Sequence, residues 1–466
     1  MSAHSPDVHS SDVLVIGAGV AGLAAATALA SHGRKVTLLE RRAYVGGRAS
    51  SYPHPTLGEV VDCQHVLLGC CTSLLQLLRS ANAEELIRWY PEQTFLEPNG
   101  NVTRLRPGVL PAPFHFAGSF LAAKMLNNAD RISIARGLSE FAFGRQGRDE
   151  ESAAQWFART HQTEGAIRHF WEPLLYGTLN DAPENCSMKY AAMVFYELCI
   201  KSSQGGVLGI PRVPLEEFYG RVLDQLLSGG TEIHFRTTLE SIAHTAQGWS
   251  ATADGIDYTS PIIILALPWE QAQALLKDLT QSFQSESFFR SFEYFRSSPY
   301  TTVHLWFDRE ITALEHAWLL DGTFQFFFHK SKIRGAASGS PSYVELVAGG
   351  LPHLLKLSRE EILSLAMKEL KRVFPQVHGA QLRKWGILKE ARATCSVLPG
   401  NDRFRPAARS PWPGLFLAGD WTASGWPSTM ESAARSGYLA AGELLGVGES
   451  LAAPAIPASG FARLWS

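Results

Sequence analysis

Gly17, Gly19 and Gly22 stand in GxGxxG spacing between the apolar run Val13–Ile16 and an alanine-rich stretch ending near Ser31. In a strand–turn–helix setting each glycine has a mechanical task. The first permits a tight turn, the second lets backbone approach a pyrophosphate, and the third lets helix and strand pack closely. The free N–H groups and the dipole of the helix N-terminus then face phosphate oxygens. Glu40 closes the next apolar run, Lys35–Leu39, where a carboxylate can accept hydrogen bonds from both ribose hydroxyls. Singly, these are a common turn and a surface carboxylate. Together they predict an ADP-binding site.

The residues that follow decide between NAD and FAD. Arg41, then Gly46-Gly47-Arg48, resembles the extended flavoprotein signature of the amine oxidase and phytoene desaturase superfamily. That resemblance implies that Gly47 brings backbone close to the cofactor, and that Arg48 reaches its phosphates or the flavin side. No second glycine fingerprint for a pyridine nucleotide follows, so the implied cofactor is FAD, bound non-covalently. Leu415-Phe-Leu-Ala-Gly419-Asp420 resembles the second flavin motif of the same superfamily. It implies that Asp420 accepts hydrogen bonds from ribityl hydroxyls. A helix starting near Thr429-Met430 would aim its N-terminus at the flavin, which favours negative charge on the reduced ring by about 1–2 kcal/mol when partly buried. More loosely, Gly230–Leu239 resembles the strand whose backbone contacts adenine.

The segment from Gly419-Asp-Trp421 through Gly425-Trp426-Pro427 to Arg435-Ser436-Gly437 is similar to the hydroxysqualene dehydroxylases, also called squalene-associated FAD-dependent desaturases. Gln64-His65-Val-Leu-Leu-Gly69, Pro111-Ala-Pro113-Phe-His115, Phe170-Trp171-Glu172-Pro173-Leu174 and Leu179-Asn180 extend the resemblance over essentially the whole chain. Cys63 and Ser432 depart from it, each standing where a glycine is expected. The resemblance implies reductive removal of an allylic hydroxyl from an apolar isoprenoid, hydroxysqualene, to give squalene, with an external electron donor. His65 and Glu172 are then the candidate general acids, and Gln64 the residue that orients substrate or water. Plainer roles stand beside these: Glu172 can cap or pair within a helix, and His65 can bond only to backbone. Three rival readings remain: oxidative desaturation of a carotenoid precursor, oxidation of a polar amine, and a non-catalytic flavin-binding partner in a terpenoid synthase complex.

These residues require particular elements to hold them. Val13–Ile16, the helix to Ser31 and Lys35–Leu39 make a βαβ unit. Residues 72–204 read as mostly helical. Strand character returns over 231–269, at Thr301–Phe307, at Thr323–His329 and at Gly414–Gly419. Ser358 with Glu361 three residues later is a capping box opening a helix to Val373, and Ser428–Leu445 is another alanine-rich helix. The expected fold is α/β and α+β: a Rossmann-like FAD-binding domain (1–75, 205–275, 386–446) interrupted by a mixed substrate-binding domain (76–204, 276–385), then a tail, 447–466. The aromatic-rich segments 286–307 and 318–328 are candidate lining for an apolar tunnel, or plain core. Residues 1–11 read as polar and disordered.

Composition narrows the function classes. Hydrophobic residues are 45% and charged residues 18% of the chain, as in ordinary globular proteins. A net charge of -2 gives no overall field that would attract nucleic acid or anionic membranes. Six cysteines without CxxC pairs suit a reducing cytoplasmic setting and give no metal-ligand spacing. Cys395 reads as a free thiol rather than a covalent flavin link. Val13–Gly33 is uncharged and long enough to span a bilayer, but its glycines and missing cationic flank favour strand, turn and helix. The uncharged stretch Pro107–Ala123, with Phe114, Phe116 and Phe120, could dip into the inner face of a membrane as a peripheral contact.

Overall fold

The computed structural model describes residues 9–142, 147–246, 248–279 and 283–464. Five short parallel strands form the nucleotide-binding sheet in the order Glu232–Phe235, Val36–Glu40, Val13–Ile16, Ile263–Leu265, Leu415–Leu417. Strands buried on both faces need near-continuous apolar runs, and Val13–Ile16, Ile263–Leu265 and Leu415–Leu417 are buried at every position. The order reverses at Val13–Ile16, the strand that carries the glycine turn, and the crevice at such a reversal is where dinucleotides bind.

One face of this sheet is covered by two helices, Val20–Ser31 and Met430–Leu445, packed on each other. Small residues allow that approach: a Cβ at Gly437 would lie 2.2 Å from the Ala21 carbonyl oxygen. The first and last segments of the chain are locked together in this way, so both cofactor motifs are parts of one rigid layer. A four-stranded sheet, His9–Ser10, Ile256–Ser260, Gly248–Ala253, Leu239–Thr245, shares a core with Leu14, Ile16 and Leu39 of the parallel strands. His9–Ser10 thus pair with Tyr258–Thr259 although residues 1–11 read as disordered; residues 1–8 lie outside the described residues.

The second layer is a seven-stranded sheet in the order Leu382–Cys395, Ser297–Phe307, Tyr343–Gly349, Phe326–Phe328, His316–Leu319, Gln93–Leu96, Val102–Leu105. Within residues 72–204, read as mostly helical, lie three short strands, Ile87–Tyr90, Gln93–Leu96 and Val102–Leu105, whose polar neighbours and brevity hide their alternation. The boundary expected at 386 falls inside the Leu382–Cys395 strand, which pairs with Ser297–Phe307 along its length. Residues 386–395 are thus part of the seven-stranded sheet. The helix Arg359–Val373 carries its capping box in full: Glu361 N–H donates to Ser358 Oγ at 3.1 Å, and Ser358 N–H to the Glu361 carboxylate at 2.6 Å.

Candidate active site

A continuous cavity of about 490 Å³ begins at the glycine turn, passes between the two layers and ends among aromatic side chains of the seven-stranded sheet. At its first end Gly17 has φ +103°, and a Cβ there would lie 2.6 Å from the Ala266 carbonyl oxygen. Gly22 does not face the cavity; its Cβ would sit 1.8 Å from the Gly17 carbonyl oxygen, which fixes how closely helix and turn pack. Gly19 caps the Val20–Ser31 helix with no side-chain hydrogen bond, and no acidic residue occupies the first turn. Those N–H groups are left for an anion. Gly46 and Gly47, at φ +98° and +62°, fold a second loop against the first, with Gly46 N–H donating to the Ala18 carbonyl at 2.8 Å. Glu40 accepts from Ala18 N–H and Arg42 N–H, each at 2.8 Å, and still lines the cavity with Arg41 and Leu239.

Midway, the second motif meets the first. Asp420 is ion-paired with Arg48, whose guanidinium also donates to the Ala393 carbonyl at 3.1 Å. Burial works against the charge on Arg48, yet Asp420 holds its pKa above the ordinary value. The backbone is fixed behind them. Arg405 donates to the Asp420 carbonyl at 2.6 Å and the Trp426 carbonyl at 2.7 Å, and Trp421 donates its indole N–H to the Leu267 carbonyl at 2.8 Å. Gly419 N–H donates to Ser436 Oγ at 2.8 Å. Thr429 caps the Met430–Leu445 helix through Ser432 N–H at 3.3 Å, and Met430 lines the cavity while its sulfur accepts from Tyr219 at 3.2 Å. Glu431, buried beside it, accepts from Ser73 and Leu74 N–H at 3.0 and 2.8 Å and so caps the next helix, Thr72–Ser80.

This arrangement fits FAD. The glycine cradle and uncapped helix would hold the pyrophosphate, Glu40 the ribose, and Arg48, Asp420 and the helix at Met430 the ribityl–flavin portion. Bound there, FAD supplies two-electron hydride chemistry that no side chain provides. Cys395 is not a lining residue; it is buried in the core, where loss of solvent pushes its thiol up to about 12. It is not placed for a covalent bond to the cofactor.

At the far end the lining turns apolar: Val66, Gly177, Tyr300, Phe326, Phe328 and Val347, with Gln64, His65, Thr178, Asn180 and Thr394 as the polar members. His65 Nδ1 lies 2.7 Å from the Cys63 carbonyl, so the neutral imidazole carries its proton on Nδ1 and offers the Nε2 lone pair. Burial lowers the His65 pKa, with the Cys63 carbonyl pulling the other way. At neutral pH His65 is thus an acceptor, and as the expected general acid it must first be protonated. Gln64 is engaged at both ends, its Nε2 donating to the His65 carbonyl at 2.9 Å and its Oε1 accepting from Lys330 at 2.5 Å. These contacts fix the side chain at the cavity wall.

Glu172 requires a correction, because it does not line this cavity. It opens the Glu172–Leu179 helix, which presents Gly177 and Thr178 to the cavity more than a turn later. Burial and then Glu184 raise the Glu172 pKa, but nothing places that carboxyl near the flavin motifs. Sequence reading also missed a buried ion cluster. Lys330 donates to Asp62 at 2.7 Å and lies 3.3 Å from Glu345, whose other oxygen accepts from Gln64 N–H at 2.8 Å. All three are at most 2% exposed. Burial pushes Glu345 up to about 7, against the pull of Lys330, whereas Lys330 and Arg334 hold Asp62 low despite its burial. Asp62 stands two residues before Gln64, but Lys330 arrives from the short helix Lys330–Ile333 and Glu345 from the strand Tyr343–Gly349, so the cluster leaves no spacing signal.

Comparison with known proteins agrees with this geometry. A family model described as flavin containing amine oxidoreductase matches residues 20–445. Zeta-carotene desaturase of Synechocystis sp. is 25% identical, covering 93% of this chain and 97% of that protein. The 15-cis-phytoene desaturase of Synechococcus elongatus is 23% identical over 92% of this chain and 94% of its own length. Among solved structures, putrescine oxidase bound to putrescine superposes with a TM-score of 0.73 at 17% identity, covering 94% of this chain and all of that one, a likeness of fold.

Proposed function

The chain belongs to the flavin containing amine oxidoreductase family, and on that premise we propose that it moves a hydride between FAD and a long, apolar isoprenoid. One observation carries this reading. Among the described residues the only carboxylates lining the cavity are Glu40 and Asp420, both at the cofactor motifs, while the substrate end is walled mainly by aromatic and aliphatic side chains, its polar members all uncharged at neutral pH. A cationic amine would find no counter-charge there, and its desolvation would go uncompensated. An isoprenoid chain loses nothing by entering.

Within that class the reading is reductive dehydroxylation of hydroxysqualene to squalene. It rests on the Gly419–Gly437 segment and on His65, an acceptor facing a cavity that a pure hydrocarbon would leave unused. The balance is alcohol, hydride and one proton giving hydrocarbon and water. His65 would hold the hydroxyl through Nε2 and, once protonated, hand it the proton. Burial makes its imidazolium a stronger acid than ordinary histidine. The apolar walls would exclude water from the allylic centre. A second reading, oxidative desaturation of a carotenoid precursor, draws on the similarity to zeta-carotene and phytoene desaturases and on the same neutral imidazole, there taking up a proton.

The test offers hydroxysqualene to the reduced holoenzyme, and phytoene, zeta-carotene and putrescine to the oxidised one, following flavin absorbance. Reoxidation by hydroxysqualene supports the first reading. Bleaching by a polyene moves the assignment to the second, and bleaching by putrescine alone overturns the isoprenoid class.

A further inference from the structure

A second cavity of about 300 Å³ lies in the helical part of the substrate domain. An aromatic row spans the wall between it and the first: Phe95 lines the second cavity, Trp318 stacks on Phe95 at 6.0 Å and lies tilted against Phe326 at 4.6 Å, and Phe326 lines the first. One continuous helical stretch does the same, presenting Phe170 and Leu174 to the second cavity and Gly177 and Thr178 to the first. No charged side chain lines the second cavity. Its polar members are already satisfied: Gln93 donates to the Gly206 carbonyl at 2.8 Å and accepts from Trp318 at 3.0 Å, and Ser139 donates to the Arg136 carbonyl at 2.7 Å. A polar ligand would have nothing to bond to, so the occupant must be hydrocarbon.

The roof of this cavity is Pro113, Phe114, Phe116 and Phe120, and the same segment exposes apolar side chains outward. Val109 is 102% exposed, Leu110 52%, Phe114 51% and Leu121 66%. The C-terminal turn Gly460–Leu464 adds to this face, with Phe461 N–H donating to the Ala112 carbonyl at 2.8 Å and its ring edge-on to Phe114. Phe461 and Leu464 are exposed as well, so six of the eleven large apolar side chains exposed among the described residues sit on these two segments. Along the segment itself the charge has one sign. No acidic residue occurs between Glu97 and Asp130, while Arg106 and Lys124 are exposed there and Arg104 is paired with Glu92.

We propose that this face seats on an anionic lipid bilayer and that the cavity beneath it receives the hydrocarbon chain of the substrate directly from that bilayer. The proposal rests on the isoprenoid reading of the first cavity. Apolar side chains enter the headgroup boundary, and basic residues on the rim meet anionic lipid. A chain threaded from the roof past Leu174 would reach the flavin cavity without crossing water.

The experiment uses flavin-loaded protein and needs no turnover, so it stands apart from any failure of the proposed reaction. Co-sedimentation is measured with vesicles of phosphatidylcholine alone or mixed with phosphatidylglycerol, with and without squalene, and squalene carried per flavin is quantified after release in high salt. Binding should favour the phosphatidylglycerol vesicles, weaken with salt, and fall by about tenfold or more in the double variant Val109→Asp, Leu110→Asp. Ala117→Trp, which fills the second cavity, should bind vesicles normally but carry several-fold less squalene; Leu138→Trp serves the same purpose if the first fails to fold. Equal binding by the aspartate variant, or no preference for anionic vesicles, overturns the docking surface. Undiminished squalene in a folded cavity-filled variant overturns the chain path.

Discussion

At the scale of single residues, two titrating groups give opposed, readable pH effects. His65 is neutral at pH 7 because burial lowers its pKa, and the charges nearest it are Asp62, which favours protonation, and Lys330 and Arg48, which oppose it. If His65 delivers the proton in a reductive reaction, the rate at saturating substrate falls as pH rises through its lowered pKa. If it takes a proton in an oxidative one, the rate rises over the same span. Single-turnover rates between pH 5 and 8 separate the two, and His65→Phe should abolish the slope while cutting the rate by about a hundredfold. Glu345 works on stability instead. Its folded pKa is raised to about 7, so its stabilising share is complete below the unfolded value and is lost as pH climbs through 7. Replacing it by glutamine (Glu345→Gln) keeps an acceptor for Gln64 N–H and removes that loss. The variant should gain on the wild type by the order of a few kcal/mol between pH 5 and pH 8 in denaturant unfolding. An unchanged difference would mean the carboxylate is ionised throughout.

At the scale of elements, the cofactor site depends on close backbone approaches that glycine alone permits. Gly437 holds the Met430–Leu445 helix against the Val20–Ser31 helix, where an added Cβ meets Ala21 backbone at 2.2 Å. Neither partner can give way without moving a cofactor motif. Gly437→Val should weaken FAD binding by at least about tenfold, since a displacement of about an ångström in positioned backbone donors forfeits charge-assisted hydrogen bonds. Flavin-fluorescence titration of apoprotein reads this directly, and unaltered affinity would show that the helices yield elsewhere. These elements were also the most legible in sequence. The βαβ unit, the Gly47–Arg48 loop, the Asp420 strand end and the Ser358–Glu361 cap are local patterns, each specified by residues a few positions apart. Strands such as Gln93–Leu96 and Tyr343–Gly349 were not. The former is short, and the latter is buried at every position, so neither shows alternation. Tertiary pairing alone makes them strands.

At the scale of the whole molecule, the chain brings together groups that sequence cannot pair. Arg48 meets Asp420, Gln64 meets Lys330 and Glu345, and Leu382–Cys395 pairs with Ser297–Phe307 from far along the chain. Motif reading named Gln64 and His65 but could not show that Gln64 is held by a buried lysine, which lies on a distant element. It also named Glu172, whose helix turns that side chain away while offering Gly177 and Thr178. The substrate end was legible only as aromatic-rich sequence, since core and cavity lining share one composition. No helix among the described residues is long and apolar enough to cross a membrane.

Hydride transfer between the flavin and an isoprenoid carbon is the central claim, and one single turnover tests it. The holoenzyme is reduced anaerobically in deuterium oxide, so that the flavin carries deuterium at N5, and hydroxysqualene is added while absorbance is followed. We expect the flavin to reoxidise as squalene appears, one molecule per flavin, with one deuterium bound to carbon. A flavin that stays reduced with no squalene formed, or squalene without carbon-bound deuterium, would contradict the account.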